Sequence, residues 1–429
     1  MRIDEFYKPG EMTSPFFTLH SEAGSLLRRG TINFAKREGR VSSLPTPNFL
    51  AHTVRGSVPH LTSDNLELVP VDSLQISAEH FYEQKEPAGL SYPHGLHSYL
   101  NANKYLLFLD TRDPSKHAPS SANTEKYLSV NTHGGVRKIT PELWCRMISQ
   151  YKPDFYAVIA DVLSDTEPGN KRVRKSVDRT IRWMDECLER TKDLDIPVFA
   201  TLVGSQFEQE RIRSAQEAAQ RKVSGFVVSG LGFGNQALDL IKISLKELPE
   251  DKPRITYGFS SPESVLEAVS SGIDLFDSAY VSKMTDKGRA LTFEFGNEED
   301  ETADKHGSKA PKSINLWDPS FADDFTPLKK GCKCYSCITP HSRGYIHHLL
   351  NAHEMLGLVL LMSHNIYQYT NFFESIRQSI DGKTFEESKT RFMENYSHEV
   401  ESDGAQGHED EVDANSLGVP MKKKRTLLL

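Results

Sequence analysis

Three cysteines crowded into six residues constrain this chain more than any other feature. Cys332, Cys334 and Cys337 stand as C-x-C-x2-C, and the whole 429-residue chain has only five cysteines. Thiolates at this spacing can all reach one ion, and an imidazole is a normal fourth ligand for tetrahedral zinc. Three thiolates and one histidine close the coordination shell, so the pattern implies one structural zinc per chain. Free thiols on a turn are the alternative. The charged opening Met1-Arg2-Ile3-Asp4-Glu5 has no apolar core and sets the expectation of no signal peptide, hence of no disulfide-forming compartment. His341, His347, His348, His353 and His364 all lie downstream as candidate fourth ligands. His364 is preferred. Tyr345, Leu349, Ala352, Leu356 and Leu360 have the spacing of one apolar helical face, which predicts a helix returning the chain to it.

Length leaves room for one barrel-sized domain and a smaller module. The formal charge of -8 argues against generic nucleic-acid coating but permits a local basic groove. The longest aliphatic run, Leu358 to Met362, is far too short to span a bilayer, and the chain is expected to be soluble and intracellular.

Upstream, apolar runs alternate with helical patterns. The runs are 104–110, 155–161, 198–204, 225–230, 254–258 and 273–277. Helices are predicted between them over 178–192, 208–222, 236–248 and 262–271. Buried strands alternating with helices make a parallel sheet. Six or more units without a dinucleotide-binding glycine fingerprint favour a (β/α)8 barrel over a doubly wound sheet. The polar, turn-rich stretch from Leu19 to Asn65 suggests short strands. In a barrel, Asp110, Asp161 and Asp277 end strands on the working face, as bases or nucleophiles or as simple turn caps. The expected division is a barrel over 1–310, a metal-binding subdomain with closing helices over 311–385, and a tail over 386–429. The tail is acidic, then basic at Lys422 to Arg425, and poor in apolar residues, so it is expected to be disordered; 297–304 is expected to be an exposed acidic loop.

Several stretches together resemble the tRNA-guanine transglycosylase family. The most specific are Ile314 to Leu328, Cys332 to Cys337, Ser342-Arg343-Gly344-Tyr345 and His364-Asn365, which match its zinc region. Thr46 to Leu50, Gly95 to His97, Ile139 to Glu142, Val228 to Leu231 and Gly272 to Asp277 fit the same family in the same order. The resemblance spans roughly Leu19 to Ile380. It implies an irregular (β/α)8 barrel with a C-terminal zinc subdomain, and exchange of a guanine in a tRNA anticodon for a 7-deazaguanine base. The metal ligands it implies are Cys332, Cys334, Cys337 and His364, although the last gap is one residue longer than in the family.

The catalytic face departs from the family. Its Asp-Ser-Gly-Gly-Phe-Gln stretch becomes Asp110-Thr111-Arg112-Asp113-Pro114-Ser115. Arg112 and Pro114 thereby put bulk where a flat base needs room. Its Val-Gln-Gly-Gly becomes Val203-Gly204-Ser205-Gln206, and a later glycine pair becomes Ser229-Gly230. Asp277 matches the nucleophile, but an RNA-contacting arginine beyond it aligns with Asp286. No catalytic residue is therefore expected, with Asp110 and Asp277 as vestigial candidates. The pattern implies a non-catalytic subunit that forms a heterodimer with a catalytic queuine tRNA-ribosyltransferase subunit and meets tRNA through that complex. An active transglycosylase using Asp277 is the competing expectation. The family pairs through its zinc side, which makes Arg343, Tyr345, His348 and Tyr369 the interface candidates. The implied location is the cytoplasm, with peripheral attachment to the mitochondrial outer membrane.

Overall fold

The computed structural model describes residues 15–22, 24–37, 39–116, 123–163, 168–229, 237–296, 310–339 and 341–396. β1 (Phe17–Leu19), β2 (Gly30–Asn33) and β3 (Ser43–Thr46) form a small antiparallel sheet. β4 (Asn48–His52), α1 (Ser63–Leu66), β5 (Ser73–Ser77), α2 (Gly95–Tyr99), β6 (Leu106–Asp110) and the hairpin β7 (Leu128–Thr132)–β8 (Gly135–Ile139) follow. Next come α3 (Pro141–Tyr151), β9 (Phe155–Ala157), α4 (Asn170–Thr191), β10 (Val198–Leu202), α5 (Glu208–Ala219) and β11 (Gly225–Val228). α6 (Ala237–Leu245), β12 (Arg254–Thr256), α7 (Pro262–Ser270), β13 (Leu275–Asp277) and α8 (Ala279–Asp286) complete the alternation. β14 (Arg289–Leu291) pairs with β15 (Ser313–Asn315), ahead of α9 (Tyr335–Ile338), α10 (Arg343–Asn351), α11 (Met355–Asp381) and α12 (Phe385–Asn395).

Eight strands close into a parallel barrel in the order β4-β5-β6-β9-β10-β11-β12-β13, with β13 pairing back onto β4. Alternation along each strand sorts the side chains. Leu50, Leu106, Phe108, Phe155, Phe199, Val227, Ile255 and Leu275 fill the interior, and they join Phe17, Ile32 and Leu44 of the β1–β3 sheet, with Phe34 just beyond β2, in one cluster. That sheet therefore plugs the end of the barrel opposite the strand carboxyl ends. The outward residues of the same strands pack under the helices.

All six expected barrel strands are present. β4 and β5, which close the ring, do not stand out as apolar runs. β5 puts Ser73, Gln75 and Ser77 inside the barrel rather than aliphatics, and β4 flanks its inward Leu50 with Asn48 and His52, so neither strand carries a continuous hydrophobic run.

The return to His364 is two helices, not one. His353 takes a left-handed backbone (φ 53°) between α10 and α11, which breaks the helical ladder there. Tyr345 and Leu356 consequently face solvent instead of forming one buried stripe. Gly357 lets α11 cross closely over α10, because a Cβ there would sit 3.2 Å from the Leu349 Cβ.

The expected start of the tail at 386 falls inside α12. Phe385, Phe392 and Tyr396 are buried, with Phe392 and Tyr396 rings 4.8 Å apart, so ordered chain continues to 396. The acidic loop over 297–304 and the Lys422 to Arg425 cluster lie outside the described residues. Among the described residues, no helix is long and apolar enough to cross a membrane.

Candidate metal centre and barrel mouth

Cys332 and Cys334 sit on the turn before α9, Cys337 on α9 itself and His364 inside α11. The structure brings their four ligand atoms together within 4.8 Å of one another. His364 Nδ1 lies 3.7, 3.4 and 3.4 Å from the sulfurs of Cys332, Cys334 and Cys337. A tetrahedral ion with Zn–S of about 2.3 Å and Zn–N of about 2.0–2.1 Å requires nitrogen–sulfur separations of about 3.6 Å, so the geometry fits. The His364 Nε2–H donates to the Leu291 carbonyl at 2.8 Å, which leaves Nδ1 as the ligating atom and fixes the ring.

The surroundings support that role. Cys334 N–H and the Gln368 side-chain amide both donate to Cys332 Sγ, at 3.4 and 3.0 Å, and Lys329 holds the Gln368 carbonyl oxygen at 3.0 Å. Mutual hydrogen bonding drives the Cys332 thiol far below the ordinary range and Cys334 far above it. Three thiols so close cannot all ionise unless a cation sits among them. Of the other candidate ligands, His347 donates its Nδ1–H to the Leu316 carbonyl and accepts at Nε2 from the Asn351 side-chain amide, while His341 stacks on Tyr345. They take no part in the cluster.

The barrel mouth is different. Asp110 and Asp277 both end barrel strands, at β6 and β13, and both are buried. Tyr257, one residue beyond β12, donates its hydroxyl to Asp110 Oδ2 at 2.6 Å. Burial pushes the Asp110 carboxyl up, against the lowering effect of the bonds from Tyr257 and Thr111. Asp277 accepts from Gly258 N–H at 2.8 Å and from Ala279 N–H at 2.9 Å, so both its oxygens are engaged, one at the start of α8. Asp161 does not contribute a free carboxylate. Arg172 grips it at 2.8 and 2.9 Å, Asn123 donates at 2.6 Å, and Arg179 adds a further contact.

Arg112, expected to crowd the mouth, does fold into it, with Asp113 buried beside it. Arg112 reaches the carbonyls of Val162 and Ser129 at 3.5 and 3.3 Å, and burial lowers its guanidinium below the usual range. Asp113 is buried against His52 Nε2 at 2.8 Å and His80 Nε2 at 3.2 Å, and accepts from Ser115 N–H at 2.9 Å. Burial alone would raise its carboxyl, but the bonds from His52, His80 and Ser115 outweigh that and hold it well below the usual range. Glu79 receives the Asp113 N–H at 2.9 Å, which completes a second grouping of metal-type side chains, Glu79, His80 and Asp113. Arg55 N–H already donates to His80 Nδ1 at 3.3 Å and Lys116 stands 3.7 Å from Asp113, so this group balances itself internally. Neither this network nor Tyr257 is among the site residues expected from sequence. A signal for Tyr257 existed, since period two from Ile255 puts it on the interior face.

A profile of queuine tRNA-ribosyltransferase matches residues 24–398. The chain belongs to that family. Among its relatives are proteins named queuine tRNA-ribosyltransferase accessory subunit 2. One from Xenopus tropicalis is 35% identical over 404 residues, covering 85% of this chain and 96% of its own. One from Danio rerio is 34% identical with the same coverages, and one from Homo sapiens is 32% identical over 79% of this chain and 90% of its own. Within this family frame, three of the four interface candidates lie at the surface. Tyr345 and His348 are exposed on α10, and Arg343 is half-buried by its ion pair with Asp324 at 3.2 Å. Tyr369 is not at the surface. It is fully buried with its hydroxyl on the Ser260 carbonyl at 2.7 Å, because α11 turns that face onto the barrel. Asp286 pairs with His60 at 2.7 Å.

Proposed function

We propose that this chain is a non-catalytic accessory subunit. It would dimerise with a catalytic queuine tRNA-ribosyltransferase subunit and support exchange of guanine for queuine at the wobble position of tRNA anticodons. The observation that carries the reading is the clasp of Tyr257 on Asp110. The carboxylate that would address a base already holds a side chain of its own barrel, with Arg112 and Asp113 folded in beside it. The names and nearly full-length coverage of the relatives support the partnership. We assign the Cys332, Cys334, Cys337 and His364 cluster to one structural zinc, on its tetrahedral spacing and soft donor set.

The zinc side also offers the docking surface. His341 stacks on Tyr345 and meets a tilted Tyr335 on its other side, with centroids 5.7 and 6.1 Å apart. Phe325, 81% exposed, rides on a turn tied to the start of α10 by Arg343 N–H on the Thr326 carbonyl at 2.9 Å. Aromatic side chains displayed this way suit the core of a protein interface. A cytoplasmic location with attachment to mitochondria comes from the resemblance alone, and subcellular fractionation is its check.

The test is reconstitution. Alone, the chain should exchange no guanine; with the catalytic subunit it should form an active heterodimer. Asp277→Asn here should leave that activity within about threefold, a barrier change under about 1 kcal/mol, whereas the matching substitution in the partner abolishes it. Loss of activity from Asp277→Asn in an intact heterodimer, or a covalent RNA adduct on this chain, would reject the reading.

A further inference from the structure

We propose that the first two turns of α4 form a docking stripe for the phosphodiester backbone of RNA, made by Lys171, Arg174 and Lys175. Only the identity of that RNA as tRNA rests on the accessory-subunit reading. Among the cations of α4, those at other positions have partners on the chain. Arg172 is held by Asp161, Arg179 and Arg182 by Glu125, and Arg190 by Glu186. Lys171, Arg174 and Lys175 are exposed, and no carboxylate among the described residues lies within ion-pair distance of them.

The placement is unfavourable for folding. Cations at a helix N-terminus oppose its dipole, and like charges three and four residues apart repel. Asp178 is the carboxylate of α4 at helical spacing from Arg174 and Lys175, and Arg213 already holds it at 2.7 Å, so the three cations stand ready for an external anion. A chain of net charge -8 that concentrates bare cations in one place is equipped for local rather than general anion binding.

The stripe lies at the working-face end of the barrel. α4 is the helix that follows β9, and the Arg172–Asp161 pair ties its first turn to that rim at 2.8 Å. Positions i, i+3 and i+4 set the three side chains on one face about 5–6 Å apart, a spacing suited to successive backbone phosphates. The apolar residues of α4, among them Val173, Val177 and Trp183, are buried against the barrel. A membrane-surface helix would keep apolar residues available for the lipid boundary, so a polyanion is the better partner.

The experiment uses the heterodimer with the catalytic subunit and measures tRNA affinity across a potassium chloride series. Replacing Lys171, Arg174 and Lys175 together by Ala should weaken binding at least about tenfold at low salt. It should also reduce the slope of log K against log salt by about 2, three contacts at about 0.7 each. Metal content and heterodimer assembly should not change, and arginine at 171 and 175 should restore binding. An unchanged slope in an assembled heterodimer overturns the stripe, as does loss of binding to anionic vesicles with tRNA affinity intact. If the unsubstituted chain forms no heterodimer, the accessory reading fails by itself. The same titration on the isolated chain then decides the stripe, and equal slopes for the two forms reject it.

Discussion

The barrel mouth and the Cys–His cluster are both buried, both polar and both built from side chains capable of chemistry, yet they resolve their polarity in opposite ways. At the mouth, Asp110, Asp161, Asp277 and Asp113 each find donors on their own chain. At the cluster, three thiols and an imidazole nitrogen face one common point, an arrangement that a soft cation satisfies. Convergence alone does not mark a working site. Buried groups that satisfy one another hold a fold together, whereas buried groups that converge unsatisfied ask for a ligand.

The sharpest way to break this comparison is to remove one ligand from the cluster. Cys334→Ser should lose the metal and several kcal/mol of stability, and His364→Ala should match it, whereas His347→Ala should do neither. Elemental analysis with thermal melts decides it, and full metal with an unchanged melt in Cys334→Ser would remove the cluster from the contrast. The next largest effect belongs to the mouth. Asp161→Ala leaves buried Arg179 with Glu125 as its remaining partner and frees Arg172, and should cost about 1.5–3 kcal/mol, measured by denaturant unfolding, with metal content untouched.

The smallest effect is one of pH. Asp113, Asp154 and Asp161 have folded-state pKa values below the ordinary carboxylate value. Groups depressed in this way contribute stability above the unfolded pKa of about 3.9 and lose it as pH falls further. Unfolding free energy should therefore decline below about pH 4, and Asp113→Asn should make that decline shallower. An identical acid slope in the variant would mean that the His52 and His80 contacts do not hold Asp113 in solution.

The thiol cluster was legible because its ligands are local, three of them within six residues, and soft donors at that spacing have few other uses. Most barrel strands were legible because their buried runs are aliphatic or aromatic. β5 was hidden for the opposite reason: Ser73, Gln75 and Ser77 all point inward, so the strand carries no hydrophobic signature on that face. The Tyr257–Asp110 clasp joins residues 147 positions apart. Nothing in local pattern encodes such a meeting; it follows only once the ring closes. Tyr369 misled for a related reason, since an aromatic on a long helix looks the same in sequence whichever side the barrel takes.

α11 runs unbroken for 27 residues, with His364 in the metal cluster and Phe373 against Phe49 and Phe276 of the barrel wall. Nine residues of helix separate the two, about 14 Å at 1.5 Å per residue. Over that lever a tilt of about 4° moves one end by about 1 Å. Wall and metal thus act as two bearings on a single shaft: the rings at one end set its angle, and the ligands at the other tolerate little misalignment. Aromatic substitutions such as Phe373→Leu would then register at a distance, as altered metal affinity in a chain whose four ligands are all intact.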